Sequence, residues 1–400
     1  MFFIAGFLVF HRPVPWNFTD SVYERIVMFC LELVMRFTYI YPPLLLYDDP
    51  FEQLNYTRAA GGFLLSFITP DSLLDDELYI DDVFFGSVSV RVYRPRDNRT
   101  NRAAIVFFHG GAFVVGNVQM FESVTRQLAK DTQMVVVSVD YRLAPEHVFP
   151  VGLDDCQEAL IHMMRYGWKE YNVDPLRIAI MGDSAGGGLV AAVAQRLRHR
   201  HDIPPLKAQI MVYPLVQFHN LKTSSYDYYY REMDGTAFLD PRGLVQYYLM
   251  YAGIDIKSHS RIVDIILNNE HVSTLNRQIL DEYIDFNILP QKYRMRKDLS
   301  FAKYDTETAE LVAPFLMNPD FAPMVQANLS GLPTSLVVTC EHDILRDEGI
   351  LYAHRLMKAG VQTTWKHLPT SFHGLLNFHT TLGTAGNAFR YISDWILSNV

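Results

Sequence analysis

Short apolar runs alternate with amphipathic segments from about residue 75 to the end of the chain. Ala104–Phe108 and Met134–Val139 are apolar without polar alternation, as expected for strands buried on both faces of a parallel sheet. Similar patterns predict strands at Ile80–Phe85, Ser87–Tyr93, Arg177–Met181, Ala208–Tyr213, Ser335–Thr339 and Thr363–Leu368, the first two forming a hairpin around Gly86. Helical periodicity predicts helices at Asp154–Tyr166, Ala185–His199, Glu348–Ala359 and Ala388–Ser398. This alternation predicts an α/β fold with a mostly parallel central sheet and helices on both faces.

The pattern breaks between Pro214 and about Pro333, a stretch that is too long for a loop in a compact domain. We interpret it as an inserted, largely helical cap that packs with the amino-terminal helix. The tyrosines of this stretch are more typical of core packing than of a ligand-binding site: Tyr226, Tyr228, Tyr229, Tyr230, Tyr247, Tyr248 and Tyr251. The predicted organisation is therefore an amino-terminal region at 1–74, a core at 75–214 and 334–400, and a cap at 215–333.

Two apolar stretches precede the core. Phe2–Phe10 is shorter than the roughly 20 residues that cross a bilayer, and no basic segment precedes it as in a secretory signal. Ile26–Leu46 is interrupted by Glu32, Arg36 and a Pro-Pro pair, which predicts an amphipathic helix lying on a core or on a membrane surface. The sharper hypothesis is a membrane-associated amino-terminal region.

Composition narrows the functional classes. The chain has 400 residues, of which 49% are hydrophobic and 20% charged, and this excludes a disordered protein. Its net charge of −9 argues against a nucleic-acid partner. Cys30, Cys156 and Cys340 lack metal-ligand spacing, so we expect no metal and no cofactor. Four glycosylation sequons, at Asn17, Asn55, Asn98 and Asn328, slightly favour a lumenal chain.

The strongest motif is Gly182-Asp183-Ser184-Ala185-Gly186, which lies between a predicted strand and a helix of small residues. This G-x-S-x-G pattern is typical of a nucleophilic serine on a sharp strand-to-helix turn. A second motif, His109-Gly110-Gly111, follows another buried strand. Its backbone N–H groups can stabilise an oxyanion together with the N–H of Ala185. We expect His109 to shape this loop rather than to act as a base.

A serine nucleophile needs a general base and an acid that orients it. Asp343 and His373 follow two consecutive predicted strands, so both are expected at the carboxyl edge of the sheet. The competing candidates are Glu341, His342, His367 and His379. Asp347 and Glu348 are better explained as the start of a helix.

Together with Tyr141-Arg142-Leu143-Ala144-Pro145-Glu146, these motifs resemble the hormone-sensitive-lipase group of α/β hydrolases, the GDXG lipolytic enzymes. The stretch from Cys340 to Asp347 and the ending Phe372-His373-Gly374 resemble its arylacetamide deacetylase-like branch. The resemblance implies an α/β-hydrolase fold with a helical cap. It also implies a serine esterase or deacetylase with Ser184 as nucleophile, Asp343 as acid, His373 as base and an oxyanion motif at His109, Gly110 and Gly111.

The family also implies an endoplasmic reticulum membrane protein with a signal-anchor, a lumenal catalytic domain and small ester or amide substrates. Three positions depart from its pattern. Ala112 replaces a third glycine, Val114 replaces the cysteine that can pair with the position of Cys340, and the first apolar run is shorter than the family's anchor. The expected function is hydrolysis of neutral hydrophobic acyl esters or amides. The alternative is a non-catalytic protein that binds hydrophobic ligands on the same fold.

Overall fold

The computed structural model describes residues 15–400 apart from positions 16, 20, 69–72, 97–101, 237 and 295–302. The predicted apolar run Phe2–Phe10 and the sequon at Asn98 therefore lie outside the described residues. An amino-terminal helical segment comes first. It consists of α1 (Val22–Met35), a π-helical turn (Arg36–Ile40), α2 (Tyr41–Leu46) and α3 (Pro50–Ile68).

The eight-stranded sheet has the order β1-β2-β4-β3-β5-β6-β7-β8. Its strands are β1 (Leu78–Phe85), β2 (Val88–Pro95), β3 (Ala104–Phe108), β4 (Val135–Val139), β5 (Ile178–Asp183), β6 (Ala208–Val212), β7 (Thr334–His342) and β8 (Thr363–Phe372). The β1–β2 hairpin and the β2–β4 pair are antiparallel, and all other pairs are parallel. The predicted mostly parallel sheet and α/β-hydrolase fold are confirmed.

Helices follow the strands in the order that a parallel sheet needs. The core helices are α4 (Glu122–Thr132), α5 (Val151–Glu170), α6 (Ala185–Leu197), α12 (Arg346–Lys358) and α13 (Gly383–Asn399). Between β6 and β7 lie α7 (Ser224–Glu232), α8 (Pro241–Ala252), α9 (Ile262–Leu267), α10 (Thr274–Tyr283) and α11 (Thr306–Leu316), with short 3-10 turns at Phe286–Ile288, Gln291–Tyr293 and Pro323–Val325. A last 3-10 turn, Leu375–Phe378, follows β8.

The predicted elements differ from the structure mainly at their ends. The helix predicted at Asp154–Tyr166 spans Val151–Glu170, and the strand predicted at Thr363–Leu368 continues to Phe372. Strands β3, β4, β5 and β6 are buried at every position, which explains their unbroken apolar patterns. The division at residues 74, 214 and 333 stays a prediction, although no described residue between β6 and β7 is in a strand.

Candidate active site

Ser184 lies on the sharp turn between β5 and α6. Its φ of 55° and ψ of −123° are unusual for a residue with a side chain, and such strain costs on the order of 1–3 kcal/mol. The turn is held by Ser184 N–H, which donates to Val212 O at 2.9 Å, and by Ser184 O, which accepts from Leu215 N at 3.0 Å. A Cβ on Gly186 would lie 2.0 Å from Phe108 O, so only glycine allows β3 to approach this closely.

Ser184, His373 and Asp343 form one chain of hydrogen bonds. Ser184 Oγ lies 2.8 Å from His373 Nε2, and His373 Nδ1 lies 2.9 Å from Asp343 Oδ2. A carboxylate only accepts, so Nδ1–H donates to Asp343 and Nε2 is left to accept from the serine hydroxyl. Asp343 is 4% exposed, and its other oxygen accepts from Leu345 N at 2.8 Å. Asp343 and His373 lie close together because each follows the end of its strand, and His342 at the end of β7 is paired with Phe372 at the end of β8.

The competing candidates are engaged elsewhere. Glu341 Oε2 accepts from Tyr293 Oη and is 3.0 Å from His367 Nε2, while the other nitrogen of His367 lies 3.1 Å from Thr339 Oγ1. His342 bonds to Tyr228 Oη at 2.8 Å. His379 Nδ1 bonds to the carbonyl oxygen of its own turn at 3.0 Å.

The loop after β3 carries the candidate oxyanion motif. His109 is fully buried and stacks on Tyr141 at 4.2 Å between ring centroids, and burial lowers its pKa to about 4. Neutral His109 donates from Nδ1 to Gly110 O at 2.7 Å, and Tyr141 Oη donates to His109 O at 2.8 Å. Gly111 has a φ of 119°, which suits glycine. These contacts hold His109 within the loop, and its role in shaping the loop stays a prediction.

Sequence reasoning missed a link between this loop and the nucleophile turn. Gly110 N–H donates to Asp183 Oδ1 at 2.8 Å, so this N–H is already in use. Asp183 is buried, which raises its pKa to about 6, while its hydrogen bonds and the nearby His373 act in the opposite direction. Tyr213 Oη donates to Asp183 Oδ2 and accepts from Leu376 N, both at 3.4 Å. Three loops of the site therefore meet at one buried carboxyl group. The only sign of this link in the sequence was the aspartate within the Gly182–Gly186 motif.

Two further buried carboxyl groups join the cap to the core. Glu348 is buried and accepts from Val216 N at 2.7 Å and from Gln217 Nε2 at 3.0 Å. Asp347 accepts from Ser225 N at 2.8 Å at the start of α7. Both residues begin α12 as predicted. Both residues are buried and also hold the cap against the core, which the sequence pattern of a helix start does not reveal.

The amino-terminal segment also contacts the site loops. Arg58 on α3 donates from Nε to Val114 O at 2.7 Å and from Nη2 to Ala144 O at 2.6 Å, and it pairs with Glu146 at 2.7 Å. Phe18 is fully buried and stacks on His342 and on Phe372, with centroids 5.0 and 4.8 Å apart. These two rings belong to the residues that precede Asp343 and His373.

Aromatic side chains of the cap mostly pack. Tyr251 stacks on Phe113 of the oxyanion loop at 4.0 Å and on Phe321 at 5.2 Å. Tyr226, Tyr229, Tyr248 and Tyr251 are buried, whereas Tyr230 is exposed. The four buried tyrosines are therefore part of the core, as their sequence pattern favours.

Several other predicted features can be placed. Cys30, Cys156 and Cys340 are free thiols. Asn55 and Asn328 are exposed, and Asn17 is half-buried. Among the described residues, one helical segment, Val22–Leu46, is long and apolar enough to cross a membrane, with a mean hydropathy of 1.3. No group of three or more metal-ligating side chains occurs in the described part of the chain.

Several known proteins are similar to this chain over most of its length. A family of the α/β hydrolase fold matches residues 105–280 and 291–377. Arylacetamide deacetylase of Oryctolagus cuniculus is 32% identical over 345 residues, which are 84% of each chain. Neutral cholesterol ester hydrolase 1 of Mus musculus is 31% identical over 339 residues, 81% of each chain. The solved structure of a hyperthermophilic esterase from the archaeon Pyrobaculum calidifontis is 28% identical with a TM-score of 0.61, covering 92% of this chain and 97% of the esterase.

Proposed function

We propose, from the premise that this chain belongs to the arylacetamide deacetylase-like branch of the α/β hydrolase family, that it is a serine hydrolase. The proposed reaction is cleavage of neutral, hydrophobic acyl esters or amides through an acyl-enzyme. The observation that carries the proposal is the hydrogen-bonded chain from Ser184 through His373 to Asp343. The relatives named as a deacetylase and as a cholesterol ester hydrolase support the substrate class.

In the proposed mechanism, Ser184 Oγ attacks the acyl carbonyl carbon while His373 Nε2 takes the hydroxyl proton. Buried Asp343 stabilises the imidazolium that forms. The backbone N–H groups of Gly111 and Ala185 stabilise the oxyanion, since Gly110 N–H is bonded to Asp183. His373 then protonates the leaving alcohol or amine, and a water molecule activated by His373 releases the acid from the acyl-enzyme.

The acyl side of the site is proposed to be apolar. Ala112 adds a methyl group where the family has glycine, and its neighbour Phe113 stacks on Tyr251 of the cap. This wall favours neutral substrates, because an unpaired charge buried there would lose its hydration. A clear preference for charged, water-soluble esters would contradict this part of the proposal.

Reaction with a fluorophosphonate tests the nucleophile directly. We expect one adduct by intact mass, mapped to Ser184, and its loss in Ser184→Ala and His373→Ala. His379→Ala is the matched control, because this histidine bonds only to a backbone carbonyl and stacks on Phe389. A folded protein that binds hydrophobic esters but forms no adduct would favour the non-catalytic ligand-binding alternative.

We also propose that the chain is associated with the endoplasmic reticulum membrane and that its catalytic domain is lumenal. The apolar segment Val22–Leu46 and the exposed sequons Asn55 and Asn328 support this location. Expression in mammalian cells should give a form whose mobility shifts on treatment with endoglycosidase H. The shift should shrink in Asn328→Gln, and an unshifted chain would place the domain outside the lumen.

A further inference from the structure

The distribution of polarity in the segment from residue 22 to residue 46 is inverted. The side chains described as exposed there are all apolar, apart from one tyrosine hydroxyl and one thiol: Val22, Tyr23, Ile26, Cys30, Val34, Phe37, Leu44, Leu45 and Leu46. The charged residues behave in the opposite way, since Glu24, Glu32 and Arg36 are buried and Arg25 is half-buried. A helix on the surface of a soluble domain shows the reverse arrangement. We call the nine exposed residues the outward stripe.

One buried charge attaches this segment to the catalytic domain, and two others pair within the segment. Glu24 accepts from Thr384 N at 3.0 Å and from Thr384 Oγ1 at 2.8 Å, at the start of α13. Glu32 and Arg36 form an ion pair at 2.6 Å, and Arg36 also donates to Tyr41 Oη at 3.3 Å. The contact between Glu24 and Thr384 fixes which face of α1 points outward.

The spacing of five of the exposed residues places them on one face of the helix. Residues 22, 26, 30, 34 and 37 recur every three or four positions, which is one face of a helix. Residues 24, 28, 32 and 36 are buried on the opposite face. Scattered apolar residues are normal on a protein surface, but a continuous stripe of this kind marks an interaction site.

We infer that the outward stripe docks into the interfacial layer of a lipid bilayer and that the segment does not cross the membrane. A spanning arrangement would take Glu24 away from Thr384 and place the Glu32–Arg36 pair in hydrocarbon, which is costly. A second protein is a poorer match, because protein interfaces have a polar rim with hydrogen bonds and the stripe offers a single hydroxyl. Tyrosine suits the level of the lipid headgroups.

The docked segment lies beside the candidate active site. Phe18, four residues before α1, stacks on the rings that precede Asp343 and His373. Docking therefore places the loops of Asp343 and His373 near the lipid surface. This inference rests on the proposed hydrolase function and specifies its substrate class as esters dissolved in a membrane, which reach Ser184 without crossing water.

Flotation of the purified full chain with uncharged phosphatidylcholine vesicles tests the docking. Phe37→Asp and Leu45→Asp change exposed stripe residues, so the fold has little packing to lose. Phe84→Asp and Leu275→Asp are the matched controls, because these side chains are 71% and 66% exposed elsewhere on the surface. We expect each stripe variant to bind vesicles about tenfold more weakly or worse, and the controls to bind normally. Equal binding of stripe variants and controls would overturn the inference.

A fluorophore on Cys30 measures depth, because Cys156 and Cys340 are buried. Its emission should shift to the blue when vesicles are added, and lipids brominated near the headgroup should quench it more than lipids brominated near the chain ends. Stronger quenching by the lipids brominated near the chain ends would show that the segment spans the bilayer. An unchanged emission spectrum, together with a dimer detected by light scattering, would show that the stripe binds a second copy of the chain. Either result overturns the docking.

Fluorophosphonate labelling of Ser184 without lipid separates the two proposals. Stripe variants should label at the parent rate but lose hydrolysis of an ester embedded in vesicles. If the parent does not label, the proposed function fails whatever the vesicles show. If stripe variants hydrolyse the embedded ester at the parent rate, the route through the membrane is wrong although the hydrolase function stands.

Discussion

Replacing Asp183 with asparagine should stabilise the protein and impair its chemistry. Asp183 is 2% exposed, and burial raises its pKa from 3.8 to about 6. The folded protein therefore holds this proton up to about pH 6, whereas the unfolded chain releases it near 3.8. Between these values the folded state binds more protons. The free energy of unfolding consequently falls as the pH rises, by about 3 kcal/mol in total.

Asparagine removes this penalty because it does not ionise. Its carbonyl oxygen can still accept from Gly110 N, while the weaker contact with Tyr213 Oη is rearranged at a cost of about 1 kcal/mol. At pH 7 we therefore expect Asp183→Asn to be more stable by about 2 kcal/mol. The kcat/KM should fall on the order of tenfold, because a negative charge that favours the His373 imidazolium is lost.

Urea unfolding at several pH values between about 4 and 7, with ester hydrolysis on the same samples, checks this reasoning. The stability advantage of Asp183→Asn should be absent near pH 4 and grow until about pH 6. A constant difference across this range would refute the argument, since it would show that Asp183 does not titrate with a raised pKa. Ser138→Ala, at another buried polar position away from the nucleophile turn, controls for a general effect of changing a buried polar group.

Three further predictions follow from the contacts around the site. Tyr213→Phe removes a donor to Asp183, so the pKa of Asp183 should rise further. The pH range over which the free energy of unfolding falls should then extend above about 6 in urea unfolding, and kcat should drop with KM unchanged. Arg58→Met should lower the free energy of unfolding by about 2 kcal/mol and slow fluorophosphonate labelling, because two charge-assisted hydrogen bonds to backbone carbonyls of the site loops are lost. Labelling at the parent rate would contradict this role of Arg58. Phe18→Ala should cost about 3–4 kcal/mol by urea unfolding, since Phe18 is fully buried, whereas Tyr23→Ala, at 68% exposure, should cost less than about 0.5 kcal/mol.

The sequence predicted the sheet and the three candidate catalytic residues because each depends on local patterns. Unbroken apolar runs mark strands buried on both faces, such as β5 before Ser184. Asp343 and His373 follow the ends of β7 and β8, which are less uniformly apolar. The support of the site was not predictable in the same way. Asp183 accepts from a loop 73 positions away in the chain, and Glu348 from one 131 or 132 positions away. No periodicity encodes such distant pairs.

The amino-terminal segment shows a second reason for incomplete prediction. An interrupted apolar stretch was compatible with a helix on the core or on a membrane surface, and the sequence alone left both open. The burial of Glu24, Glu32 and Arg36 distinguishes the faces of the helix, and burial depends on tertiary contacts. Arg58 gave no signal, because two of its partners are backbone carbonyls, which exist at every position, and the third, Glu146, lies 88 positions away in the chain.

The attachment of the amino-terminal segment limits how this protein can be shortened. A chain trimmed to begin at Leu78 would keep the whole sheet and all three residues of the Ser184, His373 and Asp343 chain. It would nevertheless lose Phe18 beneath the acid and base loops, Glu24 at the start of α13, and the guanidinium of Arg58 between the two loops on the oxyanion side. Solubility gained by removing the apolar helices would come with a loosened site. The amino-terminal region that carries the exposed apolar residues also carries the contacts to the site loops, so detergent or lipid is a better route to an active preparation than truncation.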